Sequence, residues 1–515
     1  MGLRYSDLNL LRYIQKHQAT PLSTLTVQFG KNETSIRRTI EQINLYSSTP
    51  LINIKKSRCT SRLSYREFVE FIQNISLNDY TTSYSERIRV MIVTIFFQGY
   101  VNASALYEQW GFSLTTKKQD TAHLRQFLAE HGLRLVTLKK KGLSIEGDEL
   151  QFRFLVINIL HPLLEFTPDN QIQARLANTP LENQCYDLAS DDLLKTSDMA
   201  ADRLNRFLTE QHLSVNYPSN KFLLLFICIM QTRPADETTA FSYRLPLEPL
   251  KMNFDSNPLR NRLYNVALSM MNFSRSPDFP FDPCLWNITE TFASNVVGCL
   301  EQPFCIRDEL LYELYNYFYR EITLDYFHCT FVDKTVEDTK GHFLELYETI
   351  HRYLVIFKAS FYFNFMDEHI STLTLIFQKH ILRNQIVENS HKRIVVVTSI
   401  NFERTSFFLE QLREYVSIQW IGTFNINEIY KLAELDYDYI FCFSTRIFNI
   451  LSAQNLPVIR MNFFVTSSDV RRLIDYGFTT RKNRFLTSSF VLEIAGKSEQ
   501  EIADYLSRHY SDYFV

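Results

Sequence analysis

Glycine is scarce in this chain of 515 residues, and its scarcity limits the chemistry that the sequence can support. None of the 12 glycines falls in a GxxxxGK[ST] or GxGxxG pattern, so no glycine-rich phosphate loop is expected. The HExxH and GxSxG patterns are missing too, as are histidine and cysteine pairs at metal-ligand spacing. We therefore expect no catalytic residue, no metal site and no cofactor, and a chain that is not an enzyme.

Cysteine pairs and long apolar runs are also missing. The eight cysteines form no CxxC pair, and their scatter along a large chain is typical of reduced, packed thiols in a reducing compartment. The most apolar run, 222–230, is shorter than the ~20 residues that span a bilayer. The N-terminus lacks a basic segment followed by an apolar stretch. We expect a cytoplasmic protein without a membrane partner.

The charges of the chain are unevenly distributed, although the formal net charge is only −3. Residues 1–150 carry 20 Lys and Arg against 13 Asp and Glu, a balance of +7. The remainder carries 34 against 44, a balance of −10. A basic N-terminal part on an acidic body indicates that the N-terminal part binds a polyanion, which the rest of the chain would repel.

The first 64 residues have the pattern of a winged helix-turn-helix domain. Ser6 is suited to cap a first helix, a second begins at Thr20–Pro21 and ends at Gly30, and Asn32 caps a third. The following stretch, LINIKKSRCTSRLSY, predicts two short strands around a basic tip, which is a wing. The residues expected to face the core from the three helices are Leu8, Leu11, Ile14, Leu22, Leu25, Phe29, Ile36, Ile40 and Ile43.

The same pattern recurs in residues 65–150. An apolar helix over 86–98 is followed by Asn102, which caps a helix over 103–110, and by a turn at Gly111. Ser113 then caps a long helix that reaches about residue 131. RLVTLKKKGLSIEGDE predicts a β-hairpin with Lys139–Gly142 at its turn. Two such patterns in one basic segment predict two DNA-binding domains; two small helical domains that bind protein are the alternative.

The rest of the chain changes character at about residue 390. The whole chain holds 42 Phe and 28 Tyr. From 150 to 390 such aromatic residues contribute to amphipathic helical runs, for example ELLYELYNYFYREI and HISTLTLIFQKHIL. After Ser390 short apolar strands alternate with helices, with strands expected at 393–399, 418–421, 439–443 and 457–461 and a helix at 426–435. That alternation predicts a small parallel α/β domain.

This order of parts resembles the Mga/AtxA-like virulence regulators of Gram-positive bacteria. The most specific match is SLTTKKQDTAHLRQFLAEHGLRL followed by the wing GLSIEGDELQFR, although Lys117 stands where the family's third helix usually has an apolar residue. The resemblance implies a mainly α, multidomain fold: winged helix-turn-helix domains at 1–64 and 65–150, PRD-like (phosphotransferase-regulated) helical domains at 151–275 and 276–390, and an enzyme IIB-like α/β domain at 391–515. It also implies an activator of transcription that forms a homodimer and works with RNA polymerase.

Recognition helices and wings supply the residues expected to contact double-stranded DNA. Arginine forks and short hydroxyls on a recognition helix suit base edges and phosphates, and lysines in a wing suit flanking phosphates. The candidates in the first domain are Thr34, Ser35, Arg37, Arg38, Lys55, Lys56 and Arg58, and those in the second are Thr115, Thr116, Lys118, Gln119, Arg125, Lys139, Lys140 and Lys141.

Regulation by phosphorylation is also implied by the resemblance. PRDs accept phosphoryl groups on histidine from the phosphotransferase carrier protein, and His212 and His369 stand at plausible positions. A working IIB domain holds a cysteine in the loop after its first strand, but residues 399–404 contain none, and Glu403 there would repel a phosphoryl donor. Cys442 falls within a strand, YIFCF, where a packed thiol is expected.

Three other functions stay open at this point. A PRD-containing RNA-binding antiterminator would carry an all-β N-terminal domain instead of recognition helices. A phosphotransferase phosphocarrier of the IIB type would need a reactive cysteine. A sugar-operon activator with IIB and IIA domains would need a IIA-length segment, and none follows residue 515.

Overall fold

The computed structural model divides the chain into two compact units. The N-terminal unit comprises Met1–Gln211, Asn220–Met270 and Thr323–Thr330, and the C-terminal unit comprises His212–Ser219, Met271–Ile322 and Phe331–Val515. The structure describes residues 2–17, 19–167, 171–234, 244–275, 277–300, 308–331, 336–363, 365–385, 392–478, 495–498, 501, 502 and 505. The described residues are mainly helical.

The first domain is a winged helix-turn-helix, as its sequence predicts. Its elements are β1 (Leu3–Arg4), α1 (Tyr5–His17), β2 (Ala19–Pro21), α2 (Leu22–Phe29), α3 (Glu33–Asn44), β3 (Ile52–Lys55) and β4 (Arg58–Ser61). Helix α4 (Tyr65–Gln73) follows and packs on the same core. The three strands of the wing have the antiparallel order β2-β4-β3. The apolar residues predicted from the three helices lie in one core, with Phe29 at its edge.

Two details of this domain differ from the sequence prediction. Ser6 does not cap α1, because the helix already begins at Tyr5 and the backbone N–H of Arg4 donates to Asp7 Oδ2 at 2.9 Å instead. Thr20 and Pro21 do not begin α2, because they pair with β4 as a strand. The helix therefore begins at Leu22, whose N–H donates to the wing carbonyl of Ser57.

The second domain repeats this plan with a longer recognition helix. Its elements are β5 (Tyr80–Thr81), α5 (Tyr84–Gln98), α6 (Ala103–Gln109), α7 (Leu114–Glu130), β6 (Leu133–Leu138) and β7 (Gly142–Gly147). Strands β6 and β7 form the predicted hairpin. β5 pairs in parallel with β1, so the two domains share a short sheet within the N-terminal unit.

Long helices complete the N-terminal unit. They are α8 (Glu149–Leu160), α9 (Pro180–Glu210), α10 (Tyr217–Thr232) and α11 (Pro258–Ser269), with a hairpin of β8 (Leu164–Phe166) and β9 (Ile172–Ala174) between the first two. Pro180 occupies the first turn of α9, where it costs no hydrogen bond, and Thr179 and Glu182 close a capping box. Helix α9 packs along α5, which fixes the second domain to the helical part of the unit.

The C-terminal unit combines helices with a parallel sheet. The helices before the sheet are α12 (Pro283–Val297), α13 (Asp308–Tyr326), α14 (Val336–His342), α15 (Leu344–Tyr353), α16 (Val355–Phe361) and α17 (Asp367–Gln385). The sheet region contains β10 (Lys392–Val397), α18 (Phe402–Arg413), β11 (Ile418–Phe424), β12 (Tyr439–Cys442), α19 (Thr445–Ala453), β13 (Val458–Arg460) and α20 (Ser467–Asp475).

The four strands have the order β11-β10-β12-β13, and every pair is parallel. A parallel α/β region is therefore present where the sequence predicts one. The helix expected at 426–435 is present as a 3-10 helix, Ile426–Glu434. Among the described residues, no helix combines the length and apolarity needed to cross a membrane. The domain boundaries at residues 64, 150, 275 and 390 stay predictions.

Candidate nucleic-acid interface

Helix α3 presents the first set of candidate residues. Asn32 caps it, since its side chain accepts from the backbone N–H of Ser35 at 2.8 Å. Ile36, Ile40 and Ile43 are buried on one face, so the opposite face is turned to solvent. The candidates on this helix are Thr34 and Arg38, which are exposed, and Ser35 and Arg37, which are half-buried.

Arg37 is already paired within the protein. Its Nε and Nη2 both donate to Glu33 Oε1, at 3.0 and 2.6 Å. An exposed pair one helical turn apart contributes little stability, so DNA can compete for the guanidinium, but Glu33 would then lie close to the phosphates. No described residue accepts a hydrogen bond from Arg38, which makes Arg38 the better placed arginine of the two.

The first wing carries its basic residues at an exposed tip. Lys56 and Ser57 have φ angles of 47° and 60°, and they connect the paired residues Lys55 and Arg58. Positive φ at both central positions is the type I′ geometry, whose twist matches that of the flanking strands. Lys55, Lys56 and Arg58 are all exposed there.

Helix α7 presents the second set of candidates. Ser113 caps it by accepting from the N–H of Thr116 at 3.2 Å, and Leu124 and Leu128 are fully buried. Thr116 is half-buried, and its hydroxyl lies 3.0 Å from Ser113 Oγ. The remaining candidates lie on the exposed side of α7: Thr115, Lys118, Gln119 and Arg125.

Lys117, the departure from the family pattern, lies on the side of α7 that faces α6. Its Nζ donates to Ser104 Oγ at 2.9 Å, and its stem is half-buried. A lysine can take this position because its apolar methylene chain can be partly buried while its amine keeps a hydrogen bond. The register of α7 therefore keeps Lys118 and Gln119 exposed.

A buried charged network holds α7 in place, and the sequence analysis missed it. Arg87 on α5 donates to Asp120 Oδ2 and Oδ1 at 2.6 and 3.2 Å, and the Tyr107 hydroxyl on α6 donates to Asp120 Oδ2 at 2.6 Å. Burial by itself lowers the pKa of Arg87, but its contacts with Asp120 outweigh this and raise the pKa. The signal was present: an aspartate one helical turn before Leu124 falls on the buried side and needs a partner.

The second wing lies beside α7 and carries three exposed lysines, Lys139, Lys140 and Lys141. Its β7 strand is joined to the segment before α6 by two hydrogen bonds between Val101 and Leu143, at 2.8 and 2.9 Å. Lys141 Nζ lies 5.8 Å from the centre of the Tyr100 ring. The wing is therefore anchored to the helices that it accompanies.

Leu114 is a further exposed residue that the sequence analysis did not select. It is the first residue of α7 and is 69% exposed. Apolar side chains at the start of a recognition helix suit the methyl group of thymine. Leu114 lies outside the buried stripe that contains Leu124 and Leu128, and this spacing could have predicted its exposure from the sequence.

The two histidine candidates both belong to the C-terminal unit. His212 is exposed in a loop, with a φ of 52°. His369 Nδ1 accepts from the N–H of Met366 at 2.9 Å, and its Nε2 lies 3.5 Å from Glu321 Oε2. Burial opposes ionisation of Glu321, yet Arg320 and His369 lower its pKa to about 2. Both ring nitrogens of His369 are thus engaged.

Side chains of the C-terminal unit form hydrogen bonds with the first residues of α18, directly after the loop that follows β10. Glu403 does not stand as the isolated repelling charge that the sequence suggests, because Arg320 Nη1 donates to it at 2.9 Å and Asn272 Nδ2 donates to both its oxygens. The N–H of Phe402 donates to Asn272 Oδ1 at 3.0 Å. Cys442 is fully buried, and burial raises the pKa of its thiol to about 12.

Among the described residues, no group of three or more His, Cys, Asp or Glu side chains is arranged to hold a metal ion. The seven described cysteines are all free thiols, five of them buried.

Residues 73–159 match the sequence model of the Mga helix-turn-helix domain, a span that contains α5 to α7 and the second wing. No curated protein matches the chain. The resemblance to Mga-like regulators is thereby confirmed over this span, and the chain carries a helix-turn-helix domain of the Mga type, the domain of a DNA-binding regulator family.

Proposed function

We propose that the chain is a cytoplasmic transcription activator that binds double-stranded DNA through α3, α7 and the two wings. One observation carries the proposal: a capped helix with Thr115, Lys118, Gln119 and Arg125 exposed lies beside a lysine wing, within the span that matches the Mga domain. A helix of this kind fits the major groove, where its side chains reach base edges.

Contacts made by the helices α3 and α7 and contacts made by the wings have different expected roles. Gln119 suits a bidentate contact with adenine, and Leu114 suits a thymine methyl. Arg38 on α3 suits guanine or a phosphate. The wing lysines grip phosphates, which fixes orientation but carries no sequence information.

Footprinting on genomic DNA upstream of the chain's own gene, followed by titration of the protected duplex, tests this function. Gln119→Ala should weaken binding to the protected site by ~1–3 kcal/mol and relax its preference at one base pair. Lys140→Ala should weaken binding to all duplexes equally. Lys195→Ala removes an exposed lysine on α9 and serves as the control. The absence of any duplex binding at low salt, or equal losses in all three variants, would contradict the proposal.

We also propose that the helical parts act as PRD-like domains and that 391–515 is an enzyme IIB-like domain that mediates a homodimer. The parallel order β11-β10-β12-β13 supports an α/β domain of this class, and the buried Cys442 supports a non-enzymatic role for it. Removal of residues 391–515 should convert a dimer to a monomer in sedimentation and weaken DNA binding. A truncated chain that stays dimeric would contradict this assignment.

In this proposal the phosphotransferase carrier protein modifies His212 or His369. His212 is exposed to a partner, whereas His369 must first release Met366 or Glu321. Labelled phosphoryl transfer in a reconstituted system should mark the full chain, and His212→Ala or His369→Ala should remove that label. Undiminished label in the double variant would exclude both residues.

A further inference from the structure

A cavity open to solvent lies in the N-terminal unit, between the second wing and the helices that follow it. Its volume is about 430 Å³. It is lined by Ile145, Glu146 and Gly147 of β7, by Glu149, Phe152 and Arg153 of α8, and by Arg233 and Pro234 at the end of α10. The cavity therefore touches both the wing and the helical part of the unit.

Two guanidinium groups face one carboxylate in this cavity. Arg153 Nε donates to Glu149 Oε1 at 2.9 Å, and Arg233 donates through Nε and Nη2 to both oxygens of Glu149, at 2.8 and 2.9 Å. Glu146 lies at the rim, where it is paired with Arg134 at 2.6 Å. The interior of the cavity thus holds two positive charges against one negative charge.

Arg153, the deeper arginine, has donors that no oxygen of the described residues engages. Arg153 is fully buried, its Nη1 contacts the sulfur of Met230, and no oxygen of the described residues accepts from its Nη2. A guanidinium carries five N–H donors, so Arg153 keeps donors for a further acceptor. Burial lowers the pKa of Arg153; Glu149 partly offsets this, and the charge of Arg233 adds to it. An anion beside both arginines would remove the imbalance.

Arg233 is held in the position that such an anion needs. Its guanidinium lies 5.1 Å from the centre of the Phe96 ring and 5.8 Å from that of Phe152, and its Nη1 donates to the Phe96 carbonyl at 3.3 Å. These contacts and Glu149 use three of its five donors. The remaining donors of an already ordered arginine bind an anion without a further cost in side-chain entropy.

We propose that this cavity is the binding site of a small organic anion, bearing a carboxylate or phosphate group, which acts as an effector of the wing. The planar fork of arginine matches both oxyanions, and the volume suits a metabolite of small size. Because β7 lines the cavity, an occupant contacts the strand that begins at Gly142, directly after Lys141. Binding therefore favours one position of the wing over others.

Calorimetric titration of the full chain without DNA tests the site, so its outcome does not depend on the proposed DNA-binding function. The probes are inorganic phosphate and succinate at constant ionic strength, with glycerol as the neutral probe. We expect one of the two anions to bind and glycerol not to bind. Arg233→Gln should weaken that binding by about tenfold or more, since it removes one charge-assisted contact. Lys195→Gln, a charge change on α9 outside the cavity, should leave it unchanged.

Arg153→Met provides a second variant at the buried position, and circular dichroism establishes whether it remains folded. If it unfolds, Arg233→Gln decides alone. Equal anion binding by wild type and Arg233→Gln, or no binding by either anion, would overturn the proposal. The effector role is tested separately: saturating anion should change DNA affinity in wild type and not in Arg233→Gln.

Discussion

Asp120 is the residue on which the placement of the second recognition helix depends. It receives hydrogen bonds from α5 and α6 through Arg87 and Tyr107, so one carboxylate links three helices. Arg87 also donates to the carbonyl and hydroxyl of Thr82, and its guanidinium lies 4.8 Å from the centre of the Phe112 ring. The network fixes the angle at which α7 leaves the turn.

Asp120→Asn should strongly destabilise the second domain. The change keeps the size of the side chain but leaves the Arg87 charge buried without its anion, which costs ~3–5 kcal/mol. Hydrogen exchange should then show faster exchange of amides in α5 to α7. Glu70→Gln breaks an exposed pair with Arg66 and should change nothing measurable. Unaltered protection in Asp120→Asn would mean that apolar packing alone holds α7.

His131 makes the same domain sensitive to acid. Its ring lies 4.8 Å from that of His328 in the same unit, and its Nδ1 donates to the Phe127 carbonyl. Burial lowers the pKa of His131, the hydrogen bond to Phe127 partly opposes this, and His328 lowers it further. Because the folded-state pKa lies below the unfolded value of ~6.5, stability present above that pH is lost as the pH falls through the folded-state pKa.

His131→Gln should reduce this loss. We expect the unfolding temperature of the N-terminal unit to fall less in the variant than in wild type between about pH 7 and pH 5. His123→Gln changes an exposed histidine on α7 and is the matched control. Identical pH profiles for wild type and His131→Gln would show that other groups set the acid sensitivity.

The position of the second wing depends on one glycine. Gly142 has a φ of 140°, and a Cβ built there would lie 2.1 Å from the Val101 carbonyl oxygen. The two hydrogen bonds between Val101 and Leu143 require this close approach. Only glycine allows the strand to pass the backbone at this distance.

Gly142→Ala should displace the wing and lower the thermal stability of the second domain. Gly111→Ala is the matched control, since Gly111 also has positive φ, 72°, but a Cβ built there would meet nothing within 4 Å. It should cost only the ~1–2 kcal/mol of a left-handed alanine. Calorimetry should therefore rank Gly142→Ala as the more damaging change. Equal losses would mean that backbone conformation, not the contact with Val101, requires glycine at 142.

For the whole molecule, the separation of charge along the chain predicts strong dependence of DNA binding on salt. The basic balance of +7 in residues 1–150 attracts the phosphates, while the balance of −10 in the rest keeps other surfaces away from them. Contact with roughly six to ten phosphates would reduce affinity by ~10³–10⁵ between about 50 and 200 mM salt.

Changing the three lysines of the second wing to glutamine should make this dependence shallower. Each lost phosphate contact lowers the slope of log affinity against log salt by about 1. Lys195→Gln should leave the slope as it is in wild type. A slope that the triple change does not alter would place Lys139, Lys140 and Lys141 away from the DNA.

Local sequence patterns specify the three helices and the wing of each helix-turn-helix domain. Asn32 and Ser113 cap their helices as predicted, and the buried stripe of α3 follows from its spacing. These features depend on residues three or four apart, whose contacts form within a single helix. The family match at 73–159 likewise falls on a segment whose local pattern was already distinctive.

How these elements are joined depends on contacts between residues far apart in the chain. The pairing of Arg87 with Asp120 spans 33 residues, and that of Glu149 with Arg233 spans 84. Thr20 and Pro21 became a strand because β4 lay beside them. Local spacing selects which side of a helix is buried, but it does not specify which distant side chain meets that side. That choice is made when the helices pack, because a buried charge or an unpaired strand must then find a partner.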